Sequence, residues 1–254
     1  MNARETTKRQ AALAADGPIG AVRSTSTFVS AAEGDTIVSD RTGVAWIGAH
    51  GTTDKDSSLP GMRGGISPTC ARGIDQDEFL INLGADLDEL AERTPYRDLG
   101  SSEGGRPART NYAMYGTCGE WVYVLEDWGM STWSTGFLKV ESMWPGPGDE
   151  IVCVTLNWWS PPSVTIHVPG DERVLHAEFG EDTGEGSALD AAPREAGASI
   201  GPRPESAAAE VAYEERRELL PAAVFTAVGA YCGLSIDQAA VEAGDLPVVV
   251  IPMV

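Results

Sequence analysis

Apolar and polar residues alternate most regularly between Glu150 and Trp158. Val152, Val154, Leu156 and Trp158 fall on one side of an extended chain, and Ile151, Cys153, Thr155 and Asn157 on the other. The first set is the more apolar and predicts the core-facing side. A second strand is predicted over Trp121–Glu126, closed by the turn residues Asp127, Trp128 and Gly129. A hairpin follows, with arms at Ser163–Val168 and Glu172–Phe179 around Pro169, Gly170 and Asp171. If Gly170 and Asp171 form its loop, His167 faces Val174, and His176 lies diagonal to His167 on the same side.

Helical spacing appears on both sides of this strand-rich middle. Asp75 and Glu78 make a capping-box pair ahead of Phe79, Leu80, Leu83, Leu87 and Leu90, with an interruption expected at Gly84. Leu220, Val224, Phe225 and Val228 stripe a helical segment from Glu210 to Tyr231, in which Pro221 introduces a kink or a second start. Ser235 and Gln238 predict the opening of another short helix, and the apolar tail from Leu246 to Val254 should be tied down. A short helix is also predicted within Ser131–Met143.

The remaining segments are weakly patterned. Val44, Trp46 and Ile47, with Ile37 and Val38, suggest a hairpin about residues 40–43, inside a loosely packed or disordered arm covering residues 1–65. Residues 181–209, rich in Glu, Gly, Ala and Pro, read as a flexible connector within a domain covering residues 66–254. The expected class is α+β: an antiparallel sheet over residues 112–180, flanked by helices from residues 75–93 and 212–243.

Composition narrows the partners. Among 254 residues, 38 Asp and Glu against 18 Lys and Arg give a formal net charge of −20, which repels nucleic acid phosphates and anionic lipid. Neither is an expected partner, and a basic protein is. Cys70, Cys118, Cys153 and Cys232 form no CxxC pair, so no zinc knuckle or thioredoxin-like site is written here. No long apolar segment spans a membrane, which leads to a cytoplasmic expectation with reduced thiols. Gly-rich stretches lack both the Walker and the dinucleotide pattern, and no cofactor is expected.

Individual candidates divide between packing and chemistry. His167 and His176 supply two imidazoles, fewer ligands than a zinc site needs. Cys118, in a Gly-bounded turn, has no histidine near in sequence to activate it. Glu126, Asp127 and Glu141 are carboxylates that folding could pair. For Glu126 a hydrogen bond to turn amides is the simpler role. Six of the seven tryptophans lie between Trp121 and Trp159. Of these, Trp128, Trp133, Trp144 and Trp159, with Glu126 and Asp127, are the candidate interface residues, because an indole at a turn or strand end offers a large rigid contact.

Two stretches carry a family resemblance. Cys70-Ala-Arg-Gly-Ile-Asp-Gln-Asp-Glu-Phe-Leu-Ile-Asn-Leu-Gly-Ala-Asp86 resembles the opening helix of the DUF6461 family of uncharacterised actinobacterial proteins. Gly119-Glu-Trp-Val-Tyr-Val-Leu-Glu-Asp-Trp-Gly129 is similar to that family's strand and turn. Val228–Asp237 resembles its closing unit, so the likeness covers about residues 66–254. It implies a stand-alone regulatory or immunity-type module and carries over no catalytic residue. The expected function is therefore non-catalytic recognition of a basic protein partner, with an enzyme the less favoured class. The alternatives are a small-molecule enzyme or sensor with a pocket between sheet and helices, and a structural subunit of a larger assembly. A homo-oligomer is compatible with each.

Overall fold

The computed structural model describes residues 43–50, 58–101, 110–127, 129–156, 162–171, 173–201, 204 and 206–253, all within one unit from Val38 to Val254. In chain order they form α1 (Ala45–Ala49), β1 (Ser67–Arg72), α2 (Gln76–Asn82), α3 (Leu87–Glu92), β2 (Thr110–Cys118), β3 (Trp121–Glu126), α4 (Thr132–Gly136), β4 (Glu150–Thr155), β5 (Val164–Pro169), β6 (Leu175–Glu178), α5 (Ala188–Glu195), α6 (Ala207–Tyr231), α7 (Gln238–Ala243) and β7 (Val248–Pro252). 3₁₀ segments occupy Tyr96–Ser101 and Glu141–Met143.

The strands make one seven-stranded sheet in the order β6-β5-β4-β1-β3-β2-β7. Every neighbouring pair is antiparallel. The architecture is α+β, and the sheet is wider than residues 112–180. β1 enters its centre and β7 closes one edge. β1 reads poorly as a strand because Ser67, Pro68 and Thr69 interrupt it. Pro68 is tolerated because it pairs with Leu125 of β3 at a level where the β4 ladder, which begins at Thr69, has not started.

Both faces of the central strands β3 and β4 are buried, which explains why the two sides of β4 look nearly equally apolar. Val152, Val154 and Leu156 pack with Ile66, Cys70, Trp121, Leu125, Leu220, Val224, Phe225 and Val228 beneath α1, α5 and α6. Ile151 and Cys153 pack with Phe79, Leu80, Leu83, Val124, Trp133, Phe137 and Ile251 beneath α2, α3 and α4. At about 25 cal/mol per Å² of apolar surface removed from water, each cluster supplies a large share of the folding drive.

Several local expectations are corrected. Val44, Trp46 and Ile47 belong to helix α1 and its entry rather than to a hairpin, and all three are buried. The reason is the neighbour: a Cβ on Gly48 would lie 2.4 Å from the Pro221 carbonyl oxygen, so only glycine lets α1 settle onto α6. The helix predicted from Asp75 does break near Gly84 into α2 and α3, with Asp75 accepting from the Asp77 amide. The last short helix is capped by Asp237, two residues beyond Ser235. Residues 181–209 are more than a connector, since α5 starts there with a capping box in which Ser187 and Asp190 take part. α6 runs unbroken through Pro221, which lacks an N–H, so the Arg217 carbonyl receives no α-helical bond from it.

Candidate functional site

The hairpin register decides which side chains meet. In β5 and β6, His167 pairs with Leu175 and Ile166 with His176, one residue away from the register expected for a two-residue loop. A slip of one residue reverses the side of every later side chain. His167 therefore points into the core under α5 and α6 while His176 is exposed on the opposite side, and the two imidazoles do not converge.

His167 instead joins an array centred on the buried Glu150, in which Arg72 and Tyr231 are part-exposed. The Glu150 carboxylate accepts from Arg72 Nε at 2.5 Å, from Tyr231 Oη at 2.5 Å and from His167 Nε2 at 2.9 Å. Arg72 also stacks over the Trp121 ring, 4.9 Å from its centroid. With Nε2–H donating to the carboxylate, His167 Nδ1 accepts the Ser187 hydroxyl at 2.5 Å. The Ser187 oxygen in turn caps Leu189 of α5. Asp190 fixes the preceding turn by accepting from the amides of Thr183 and Ser187 and from the Thr183 hydroxyl.

The electrostatics follow from this wiring. Burial opposes the Glu150 charge, but hydrogen bonds from Tyr231, His167 and Arg72 outweigh it and hold the carboxyl below its ordinary value. Burial lowers the His167 value against the pull of Glu150, so the ring is neutral at neutral pH. Burial and the adjacent Glu150 raise Tyr231, which stays a donor. Serine, histidine and glutamate are linked in sequence here, but Ser187 is buried and the space beside His167 is only about 20 Å³. That volume admits about one water. The array therefore positions elements: it ties α5 and the end of α6 to β1, β4 and β5.

What it positions is the wall of a cleft of about 910 Å³ between the β5–β6 end of the sheet and the first half of α6. Phe179, Ile200, Leu220 and Pro221 give it apolar surface, and Tyr213 adds a phenol. Glu181, Glu214 and Glu218 line it together with one guanidinium, Arg217, which is already paired with Glu214 at 3.4 Å, while Glu178 meets it at the rim with its side chain on the His176 side of β6. Gly180 makes the wall possible. Its φ is +96°, its carbonyl accepts from the Ile200 amide at 3.1 Å, and a Cβ there would lie 2.9 Å from Ile200 Cγ1. The cleft and the small space beside His167 share Glu178, Phe179, Gly180 and Glu181, so the array lies directly behind the wall.

The candidate interface residues separate. Trp133 is 1 % exposed, stacked on Phe137 at 4.8 Å with its indole N–H on the Met143 carbonyl, and so is a core residue rather than a docking anchor. Glu126 is 2 % exposed and accepts from the Thr132 amide at 2.9 and 2.8 Å and from its hydroxyl at 2.5 Å. This is the turn bond expected of it. Burial pushes its carboxyl up to about 7 against those bonds. Asp127 is partly buried, and Glu141 lies exposed in a 3₁₀ turn. Trp144, 44 % exposed and 5.9 Å from Phe137, presents surface. Trp128 and Trp159 lie outside the described residues. Cys118 packs its sulfur against the Ser235 amide and carbonyl.

Glu150, Tyr231, Arg72 and Ser187 carry no sequence signal, because each is an ordinary residue whose partners lie far along the chain. Among the described residues no group of three or more His, Cys, Asp or Glu gathers to hold a metal, and no helix is long and apolar enough to cross a membrane. No family model, curated protein or solved structure matches this chain. The functional reading therefore rests on the geometry of the cleft.

Proposed function

We propose that this chain is a non-catalytic recognition module that holds a basic segment of a protein partner in the cleft between β6 and α6. The observation that carries the reading is the composition of that cleft: three glutamates, Glu181, Glu214 and Glu218, against one paired arginine, over a floor of Phe179, Ile200, Leu220 and Pro221. Carboxylates grouped on a concave wall concentrate cations and speed encounter, and the formal charge of −20 adds long-range attraction. The apolar floor covers the aliphatic stems of Lys or Arg, and Tyr213 and Phe179 add ring faces for their charged ends.

The test is fluorescence anisotropy of a labelled short Lys/Arg peptide against the full chain, beside a peptide in which each basic residue is replaced by Glu. The basic peptide should bind, with affinity falling as salt rises. Equal binding of both peptides, or no salt dependence, contradicts the reading. A second reading, a sensor of a small organic polycation, is favoured by the cleft volume, which lies in the range of small-molecule sites. An aliphatic triamine that binds tightly where the peptide does not would select it.

A further inference from the structure

The two edges of the sheet are finished differently. Along β7, the Val248 amide donates to the Thr94 carbonyl at 2.9 Å, Tyr96 N–H reaches Leu246 O at 2.9 Å, and Pro95 bridges Pro247. Pro252 ends that strand without an N–H. Such devices close an edge against further pairing.

β6 has no comparable cover among the described residues. The Phe179 amide donates to the Ser163 carbonyl at 3.1 Å, which fixes the alternation: Leu175 and Ala177 turn their backbone toward β5, and His176 and Glu178 turn theirs outward. The Thr155 hydroxyl on the Val164 carbonyl agrees, since it places that carbonyl on the β4 side, away from Glu178. The Glu178 carbonyl accepts from the Glu181 amide at 3.0 Å. The His176 N–H and C=O and the Glu178 N–H remain directed away from the sheet beside two exposed side chains. Glu178 belongs both to this edge and to the rim of the cleft, with its side chain on the His176 side of β6.

We propose that the β6 edge accepts an extended segment of the basic partner as an added strand, and that this strand delivers a Lys or Arg side chain on the α6 side of β6 into the cleft. The inference rests on the cleft reading and adds to it the conformation of the bound segment. Backbone carbonyls of the segment accept from His176 and Glu178, and one of its amides donates to the His176 carbonyl. Main-chain bonds give affinity in this mode, and alternate side chains give selectivity. Charge selects the occupant: a second copy would bring Glu178 and Glu181 against like carboxylates, whereas a Lys/Arg strand is complementary.

The experiment compares the binding of an alternating Lys/Val peptide with that of the same peptide N-methylated at every second residue. Each is titrated into the wild-type chain, His176→Pro and His176→Ala. Proline at 176 removes the outward N–H and leaves the β5 ladder intact. His176→Pro and N-methylation should each weaken binding about tenfold, while His176→Ala binds like wild type. If proline disturbs the fold by circular dichroism, the N-methylated peptide on the wild-type chain decides alone. Full binding of the N-methylated peptide, with loss only on charge reversal in the cleft, overturns strand addition and leaves cleft recognition standing. Failure of any basic peptide to bind overturns both. Self-association that His176→Pro abolishes overturns the choice of occupant.

Discussion

Glu150 and Glu126 lie on opposite faces of one sheet, both nearly sealed from water, yet hold their protons differently. Glu150 faces α5 and α6 among a guanidinium, an imidazole and a phenol, and its carboxyl is held below the ordinary value. Glu126 faces α4, where only Thr132 and neighbouring hydroxyl and amide groups serve it, and burial lifts it to about 7. Neutral donors do not offset the loss of water, whereas a cation with two further donors does. The face that retains its charge is also the face that frames the cleft. One carboxylate there fixes three elements behind the wall without presenting a group to solvent.

The largest expected effect is at Glu150. Glu150→Ala leaves Arg72, His167 and Tyr231 without their acceptor and should cost about 3–5 kcal/mol in a denaturant titration at neutral pH. Glu150→Gln, which keeps an acceptor but no charge, should lose less. Equal costs would mean that the charge is immaterial and would remove the contrast with Glu126.

The pH dependence of stability sharpens the contrast. The folded chain binds the Glu126 proton more tightly than the unfolded chain, so this contribution is full below the ordinary carboxyl value and is lost as pH rises through about 7. The total is roughly 3 kcal/mol. Glu126→Gln should abolish that loss. His167, lowered by burial, acts in the other direction: its contribution is full above about 6.5 and is lost as pH falls toward its folded value. Glu150 likewise contributes above its ordinary value and loses that contribution in acid. In Glu126→Gln the remaining slope should therefore turn positive with pH, and a slope unchanged from wild type would contradict the assignment.

Smaller effects probe the cleft side of the same face. Gly180→Ala places a side chain at positive φ against Ile200 and should cost about 2 kcal/mol, with loosened peptide binding. Tyr231→Phe removes one of the hydrogen bonds to Glu150 and should cost about 1.5 kcal/mol in the same titration. It should leave peptide affinity close to wild type, because Tyr231 lies behind the wall.

The sheet was legible where periodicity was strong. β3, β4 and the β5–β6 hairpin follow from alternation and turn residues, and α2 and α6 from apolar spacing. β1 was hidden because a central strand buried on both faces can carry Ser67 and Thr69, provided each finds a partner. Ser67 takes the Leu156 amide, and Thr69 meets Ser131. The five residues of α1 carry little helical period, and the glycine contact with Pro221 sets their conformation. The hairpin register could not be fixed from Gly170 and Asp171 alone, and that single residue of slip separated His167 from His176. Of the site, the acidity was visible in composition and the turn bond of Glu126 in its motif. The cleft was not, because its carboxylates come from the turn after β6 and from α6, which only tertiary packing unites.

The central claim is that the glutamates of this cleft recognise a basic segment. It is tested most directly by isothermal titration of the Lys/Arg peptide into the wild-type chain and into the combined variant Glu181→Lys, Glu214→Lys, Glu218→Lys, with circular dichroism to confirm the fold. Loss of binding by about a hundredfold or more in the variant is the expected result. An affinity unchanged by reversing those three charges would contradict it.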